Sequence, residues 1–347
     1  MQPRTASFGS RFRPRLTPFT VIGAAFVVLL LISQFYVTSH FFSRGSMSVL
    51  TPLIGVMVIV AVGQAFVMGT GGIDLSVASV MTLVGSIVLK QSQNQNGRLI
   101  GALVFCFVAC VVIGLINGIF IEALRLNALV VTLAVGQLVA GYTRLYRGNV
   151  LAYTDVPRDL SRAAGADIGG VSYLLVVSVG LAFVGTFFLH RMVEGRRLVA
   201  SSAAPGTALL VGLRASGYRI LAYVIAACSY GVGGVLLAGQ LGTPDLTLGD
   251  PYLLTSIVAV VLGGAALTGG RVSPLATLLG AAFITILDYD LRVRGYSSGM
   301  RLLTQGIVLV LALSLAYGIR NLSRMGSIFR RAGPGRAELT QGVVPIS

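Results

Sequence analysis

The sequence predicts an all-α integral membrane protein with about ten transmembrane helices, some of them short or interrupted by glycine. Three observations predict it. Of 347 residues, 55% are hydrophobic and 11% charged, where soluble domains run near a quarter charged. Mean hydropathy is +0.87, and apolar runs of the roughly 20 residues that a bilayer demands recur along the chain. Glycine is abundant at 44 residues, which suits close helix packing in lipid. A soluble two-domain enzyme is excluded.

Taken in order, the spans fall at about 17–38, 48–68, 74–90, 99–121, 127–145, 171–190, 219–241, 251–268, 273–290 and 300–318. The N-terminus is basic, but the apolar run after it is long and lacks a small-residue cleavage site. It is read as a retained first span and not as a signal peptide. The third and ninth spans are short or glycine-interrupted. Residues 1–320 form one transmembrane domain with a cytoplasmic loop at 191–219, and 321–347 form a basic cytoplasmic tail, partly disordered.

Charge sets the orientation. With both termini inside, the inner side holds 16 of the 26 Lys and Arg residues and four of the 11 acids. That bias favours termini in the cytoplasm. It also accounts for the formal net charge of +15 through topology, without nucleic acid. Cys106, Cys110 and Cys228 lie within apolar runs, and His40 and His190 are far apart. No disulfide framework or metal spacing arises from them. The outer loop Tyr146–Gly170, rich in both charge signs, is a connector or a landing surface for an external partner.

Two glycine-rich strings interrupt the spans. In GTGGIDLS (Gly69–Ser76), Gly71 and Gly72 break the helix, Asp74 stands where a short third helix begins, and Ser76 lies in its first turn. A carboxylate there is favoured by the helix N-terminus. The bland reading of Asp74 is a cap. The functional reading is a discontinuous segment lining a translocation path. The second string, VLGGAALTGGRVSPL, places Gly263, Gly264, Gly269 and Gly270 before Arg271 and Pro274, again ending one helix and starting another.

The cytoplasmic loop carries Arg191, Arg196, Arg197, Arg214 and Arg219 with one acid, Glu194. Ser201, Ser202 and Pro205 signal a helix start and Gly212 a stop, giving a short helix over Ala204–Val211. Its small residues Ala204 and Ala208, with Leu209 and Leu210 as apolar anchors, suit docking into a groove. The chain's single lysine, Lys90, follows Leu89, so no P-loop can form and the chain is not itself an ATPase. The spans are nearly free of central ionisable groups, which coupled carriers use. Energy for uphill transport would come from another chain. A secondary carrier or channel is the alternative. An intramembrane enzyme holding Mg²⁺ on Asp288 and Asp290 is a third reading.

The chain resembles the permease subunits of bacterial ABC importers for sugars, of the ribose, xylose and galactose type, over about residues 20–320. Four strings carry the resemblance: GGIDLSVAS at Gly71–Ser79, GLINGIFIEALRLNALVVTLA at Gly114–Ala134, LLVGLR before YRILAYVIAA, and VAVVLGGAALTGGRVSPLATLLGA. The resemblance implies the ABC importer permease fold in the bacterial inner membrane. It implies a second permease subunit, identical or not, a cytoplasmic ATPase that uses ATP and Mg, and a periplasmic binding protein delivering a monosaccharide or polyol. No cofactor is expected on this chain. On this reading Gly71, Gly72, Asp74, Ser76, Asn117, Gly263, Gly264, Gly269 and Gly270 line the path. Arg196, Arg197, Ala204, Ala208, Leu209, Leu210, Gly212 and Arg214 couple to the ATPase.

Overall fold

The computed structural model describes residues 18–148, 155–203, 215–270 and 272–331. Among these the chain is almost wholly helical. Helix α1 (Pro18–Ile32) runs on as a short π-helix (Ser33–Val37), followed by α2 (Arg44–Gly69), α3 (Val77–Ser92), α4 (Asn96–Ala123) and α5 (Ala128–Arg147). Then come α6 (Arg158–Gly165) and an antiparallel pair, β1 (Asp167–Ile168) and β2 (Val171–Ser172), with Asp167 opposite Ser172. The remainder is α7 (Tyr173–Arg191), α8 (Val193–Ala203), α9 (Ala215–Leu241), α10 (Tyr252–Leu262), α11 (Pro274–Val293) and α12 (Ser298–Arg331).

Among the described residues, seven segments are long and apolar enough to cross a membrane: Phe19–Val37, α2, α4, α5, α7, Ser216–Leu241 and α11. Helices α3, α10 and Ser298–Ser314 are shorter apolar helices. Every expected span therefore has its helix, but the ninth, expected to be short or interrupted, is the unbroken 20-residue α11, while the eighth is the 11-residue α10, because the second glycine string ends α10 early and Pro274 starts α11 after it.

Helix α2 is the axis of the packing. It is apolar on all sides, and a helix of that kind belongs inside a bundle. Nearly every residue from Leu50 to Gly69 is buried. Helices α7, α9, α10 and α11 pack around it. Glycines let backbones touch: a Cβ on Gly55 would lie 2.7 Å from the Leu174 carbonyl carbon of α7, and one on Gly63 2.7 Å from Ser229 Cβ of α9. The outer helices reverse the pattern. Ile100, Val104, Phe107 and Val108 of α4 and Val176, Phe183, Val184 and Phe187 of α7 are exposed. A soluble monomer rarely shows an apolar belt of this size, whereas lipid covers it without penalty.

Helix ends gather on two faces. On one, the Val156 N–H donates to the Gly242 carbonyl (2.9 Å), Asp159 N–H to Asn96 Oδ1 (3.2 Å), and Arg294 to the Tyr36 carbonyl. On the other, Arg219 of α9 pairs with Glu122 of α4 at 3.1 Å, and Tyr218 donates to Glu194 of α8 at 2.7 Å.

Three segments depart from the sequence expectation. The outer loop holds α6, which buries Leu160 and Ala164 against α9. The segment before Pro205, expected as loop, is α8. Glu194 opens it and pairs at i,i+3 with Arg197 at 2.9 Å, no proline interrupts it, and Leu198 and Ser202 are buried. The expected helix Ala204–Val211, with Ala204, Ala208, Leu209, Leu210, Gly212 and Arg214, lies outside the described residues. Finally, α12 continues to Arg331, past the expected domain limit at 320.

Candidate functional site

The first break follows directly from the sequence. Helix α2 stops at Gly69, the Thr70 hydroxyl donates to the Val67 carbonyl at 2.7 Å, and Gly71 turns the chain at φ +84°. The second break separates α10 from α11, with Gly264, Gly269 and Gly270 at φ +84°, +82° and +95°. What the sequence did not reveal is that the breaks cross each other. The Gly270 N–H donates to the Gly69 carbonyl at 2.9 Å. A Cβ on Gly269 would lie 2.7 Å from Gly71 N and 2.8 Å from Gly71 Cα. Only glycine allows that approach and that backbone conformation together. Each break thus satisfies backbone groups that the other leaves free, which irregular backbone at membrane depth requires.

Polar side chains brace the crossing from behind. Asp74 Oδ1 accepts from the Ser76 N–H (2.8 Å) and from the Ser76 hydroxyl (2.6 Å). Asn117 Nδ2 of α4 donates to Ser76 Oγ at 3.1 Å. Thr132 Oγ1 of α5 accepts from the Leu75 N–H at 3.0 Å and donates back to the Ala128 carbonyl at 2.9 Å. The Gln64 amide, with its oxygen set toward the Asp74 N–H (3.3 Å), donates to the Asp74 carbonyl (3.2 Å) and meets the Tyr230 hydroxyl. That orientation is assigned from the bonding pattern. Asp74, Ser76, Asn117, Thr132 and Gln64 are all 0% exposed.

Of the residues expected on the path, the structure brings Gly71, Gly269 and Gly270 into one crossing, with Gly72, Asp74, Ser76 and Asn117 immediately behind it. Gly263 and Gly264 stand at the end of α10, where a Cβ on Gly263 would press on the Ala276–Thr277 backbone of α11. The surface of the crossing is formed by Gly71, Leu267 and Thr268, with Ile73 and Leu75 partly exposed. Arg196 and Arg197 are exposed on α8. Sequence reasoning missed Gln64, Thr132, Tyr223 and Tyr230. Each is a lone polar group in an apolar run, and burying such a group unpartnered is costly. That signal was available.

Thr132→Val, nearly isosteric, leaves the Leu75 N–H without its acceptor. It is expected to lower stability by about 1–3 kcal/mol, seen as a lower melting temperature of the detergent-purified protein.

On the opposite face, Asp288 accepts from Arg301 (3.2 Å), Gln305 (3.2 Å) and Arg292 (3.4 Å), while Asp290 accepts from Ser33 at 2.5 Å. The two carboxylates serve different neighbours. Among the described residues no group of three His, Cys, Asp or Glu side chains could hold a metal ion. Nearby, burial and then Asp245 raise the Asp250 carboxyl above its ordinary range, with Arg144 acting against them.

Residues 46–313 match the family described as the permease component of the branched-chain amino acid transport system. The ribose import permease protein RbsC of Bacillus subtilis (strain 168) is 30% identical over 265 residues, covering 74% of this chain and 80% of its own length. The fructose import permease protein FrcC of Rhizobium meliloti is 29% identical, covering 82% and 81%. The autoinducer 2 import system permease protein LsrC of Enterobacter sp. (strain 638) is 29% identical, covering 79% and 78%. No solved structure matches.

Proposed function

Since the chain belongs to this family of transport-system permease components, we propose that it is the membrane-spanning permease subunit of an ATP-driven importer, passing a monosaccharide or related polyol. The observation that carries the reading is the crossing of the two glycine breaks. Discontinuous helices meeting at membrane depth are how transporters build a site that can open. Relatives named for ribose and fructose import support the substrate class. The family sets aside the secondary-carrier alternative.

ATP and Mg belong to a cytoplasmic ATPase, and the sugar arrives on a periplasmic binding protein. This chain binds no cofactor. Gly71, Gly269 and Gly270 border the path, and Asp74, Ser76 and Asn117 hold its shape. The charge bias supports placement in the bacterial inner membrane with both termini in the cytoplasm. A second permease subunit completes the route. Gln137 sits mid-way along α5 and is exposed, and a polar group at that depth faces a protein interior or a wet cavity, not lipid. Leu302, Leu303, Ile307 and Val310 of α12, exposed beside Gly299 and Gly306, offer the second half of that contact.

The ATPase docks on the Arg191–Arg219 segment, with Ala204–Val211 as the coupling helix between Arg197 and Arg214. Leu209 and Leu210 would each contribute about 1.5–3 kcal/mol when buried. The Leu209→Asp, Leu210→Asp double variant is therefore expected to insert normally but to lose the ATPase on co-purification, together with uptake. Normal co-purification with normal uptake would remove this segment as the coupling helix. ATP-independent uptake by the intact protein would return the chain to the carrier class.

A further inference from the structure

Helix α8 is tied by short contacts to both glycine breaks, through two different helices. The α9 arm begins where Tyr218 donates to Glu194 at 2.7 Å. The next residue, Arg219, pairs with Glu122 at 3.1 Å, so the first turn of α9 is gripped from two sides. Just over one turn further on is Tyr223, 1% exposed, whose hydroxyl has no hydrogen-bond partner. That hydroxyl lies against Gly72 of the first break, in the space a Cβ there would occupy. A buried hydroxyl without a partner is costly, and apolar packing alone would be served as well by phenylalanine.

The α7 arm begins where α8 folds back on α7. Gly195 sits so close that a Cβ would lie 2.6 Å from the Phe188 carbonyl carbon and 2.7 Å from Leu189 Cα. Two residues before Phe188, the Thr186 hydroxyl accepts the Leu275 N–H at 3.0 Å. Leu275 is the second residue of α11, the helix that follows the second break. Gly185 packs against Pro274 in the same contact.

We infer that α8 is a lever base, and that Tyr218 with Tyr223 on one arm and Thr186 on the other are positioning residues that carry its movement to the first and second breaks respectively. The inference rests on the importer reading and deepens it: the ATPase docks beside α8, and a rigid element with contacts to both breaks lets one event move both. Energetic coupling can run through packed side chains, hydrogen bonds and rigid helices in series: the α9 arm supplies a hydrogen bond, a helix turn and a packed hydroxyl, the α7 arm a close backbone contact and a hydrogen bond. Nothing in the family match assigns these residues.

The test uses the full chain purified with its ATPase, with Cys106, Cys110 and Cys228 replaced by alanine. A reporter, Ile73→Cys on the first break or Leu267→Cys on the second, is labelled with a maleimide with and without ATP and vanadate. The labelling rate at both reporters is expected to change several-fold on nucleotide trapping. Tyr218→Phe and Tyr223→Phe should abolish the change at the Ile73→Cys reporter and spare the Leu267→Cys reporter. Thr186→Val should do the reverse. A residue that merely packs would leave both unchanged, and Tyr223→Phe would then only stabilise the protein. Responses like the parent's in all three variants, or equal loss at both reporters from either arm, would overturn the lever. So would a parent complex whose breaks ignore nucleotide, although the importer reading would survive that result. Failure of any ATPase to co-purify with the parent would sink the importer reading and the lever with it.

Discussion

Gly269→Val is expected to leave little folded permease in the membrane. Gly269 adopts φ +82°, and a side chain in that left-handed region costs about 1–2 kcal/mol, more for a β-branched one. The added Cβ would also press on Gly71 N at 2.7 Å. Its neighbours there are backbone atoms that cannot rotate away, and overpacking of this kind costs about 1–3 kcal/mol. Together these take about 2–5 kcal/mol from a stability that is typically about 5–15. The measurement is the yield of monodisperse protein after mild detergent extraction, with its melting temperature. Gly101→Val is the control, since an added Cβ there meets nothing within 4 Å. Equal yield and melting for the two variants would show that the crossing does not hold the fold together.

Asp74→Ala is expected to act almost as strongly. The carboxylate accepts two bonds from Ser76, one from its N–H and one from its hydroxyl. Removing it strands a buried N–H at the start of α3 and frees the hydroxyl that Asn117 also reaches. Leaving that buried N–H without an acceptor costs about 1–3 kcal/mol, and the lost bond to the hydroxyl adds to it. Asp74→Asn keeps an oxygen for both bonds and places its NH₂ where Asp74 Oδ2 has no partner. Its abundance should stay near that of the parent, and any fall in uptake would then report on the path itself. Abundance of Asp74→Ala matching the parent would mean that Ser76 finds another acceptor.

The spans were legible in the sequence because lipid imposes a simple length and polarity rule on each of them. The breaks were legible because glycine pairs between apolar runs have few other uses. Their crossing was not. It joins Gly69 to Gly270, and no local pattern encodes which distant backbone a free carbonyl will meet. Tyr223 stands out in YRILAYVIAA as a polar group in an apolar run, but its contact with Gly72 could not be read from that string. Helix α8 was misread because charge was taken as the mark of a loop, whereas Glu194 and Arg197 pair on the outer side of the turn they share and Leu198 packs inward.

The bond between Gly270 and Gly69 also has a consequence for biogenesis. The ribosome finishes α2 about 200 residues before it makes the segment that completes the first break, an interval of roughly 10–40 s at about 5–20 residues per second. Throughout that time the Gly69 carbonyl and the Gly71 turn lack the backbone that covers them in the folded chain. Helix α2 therefore reaches its folded surroundings only after α10 and α11 have been made.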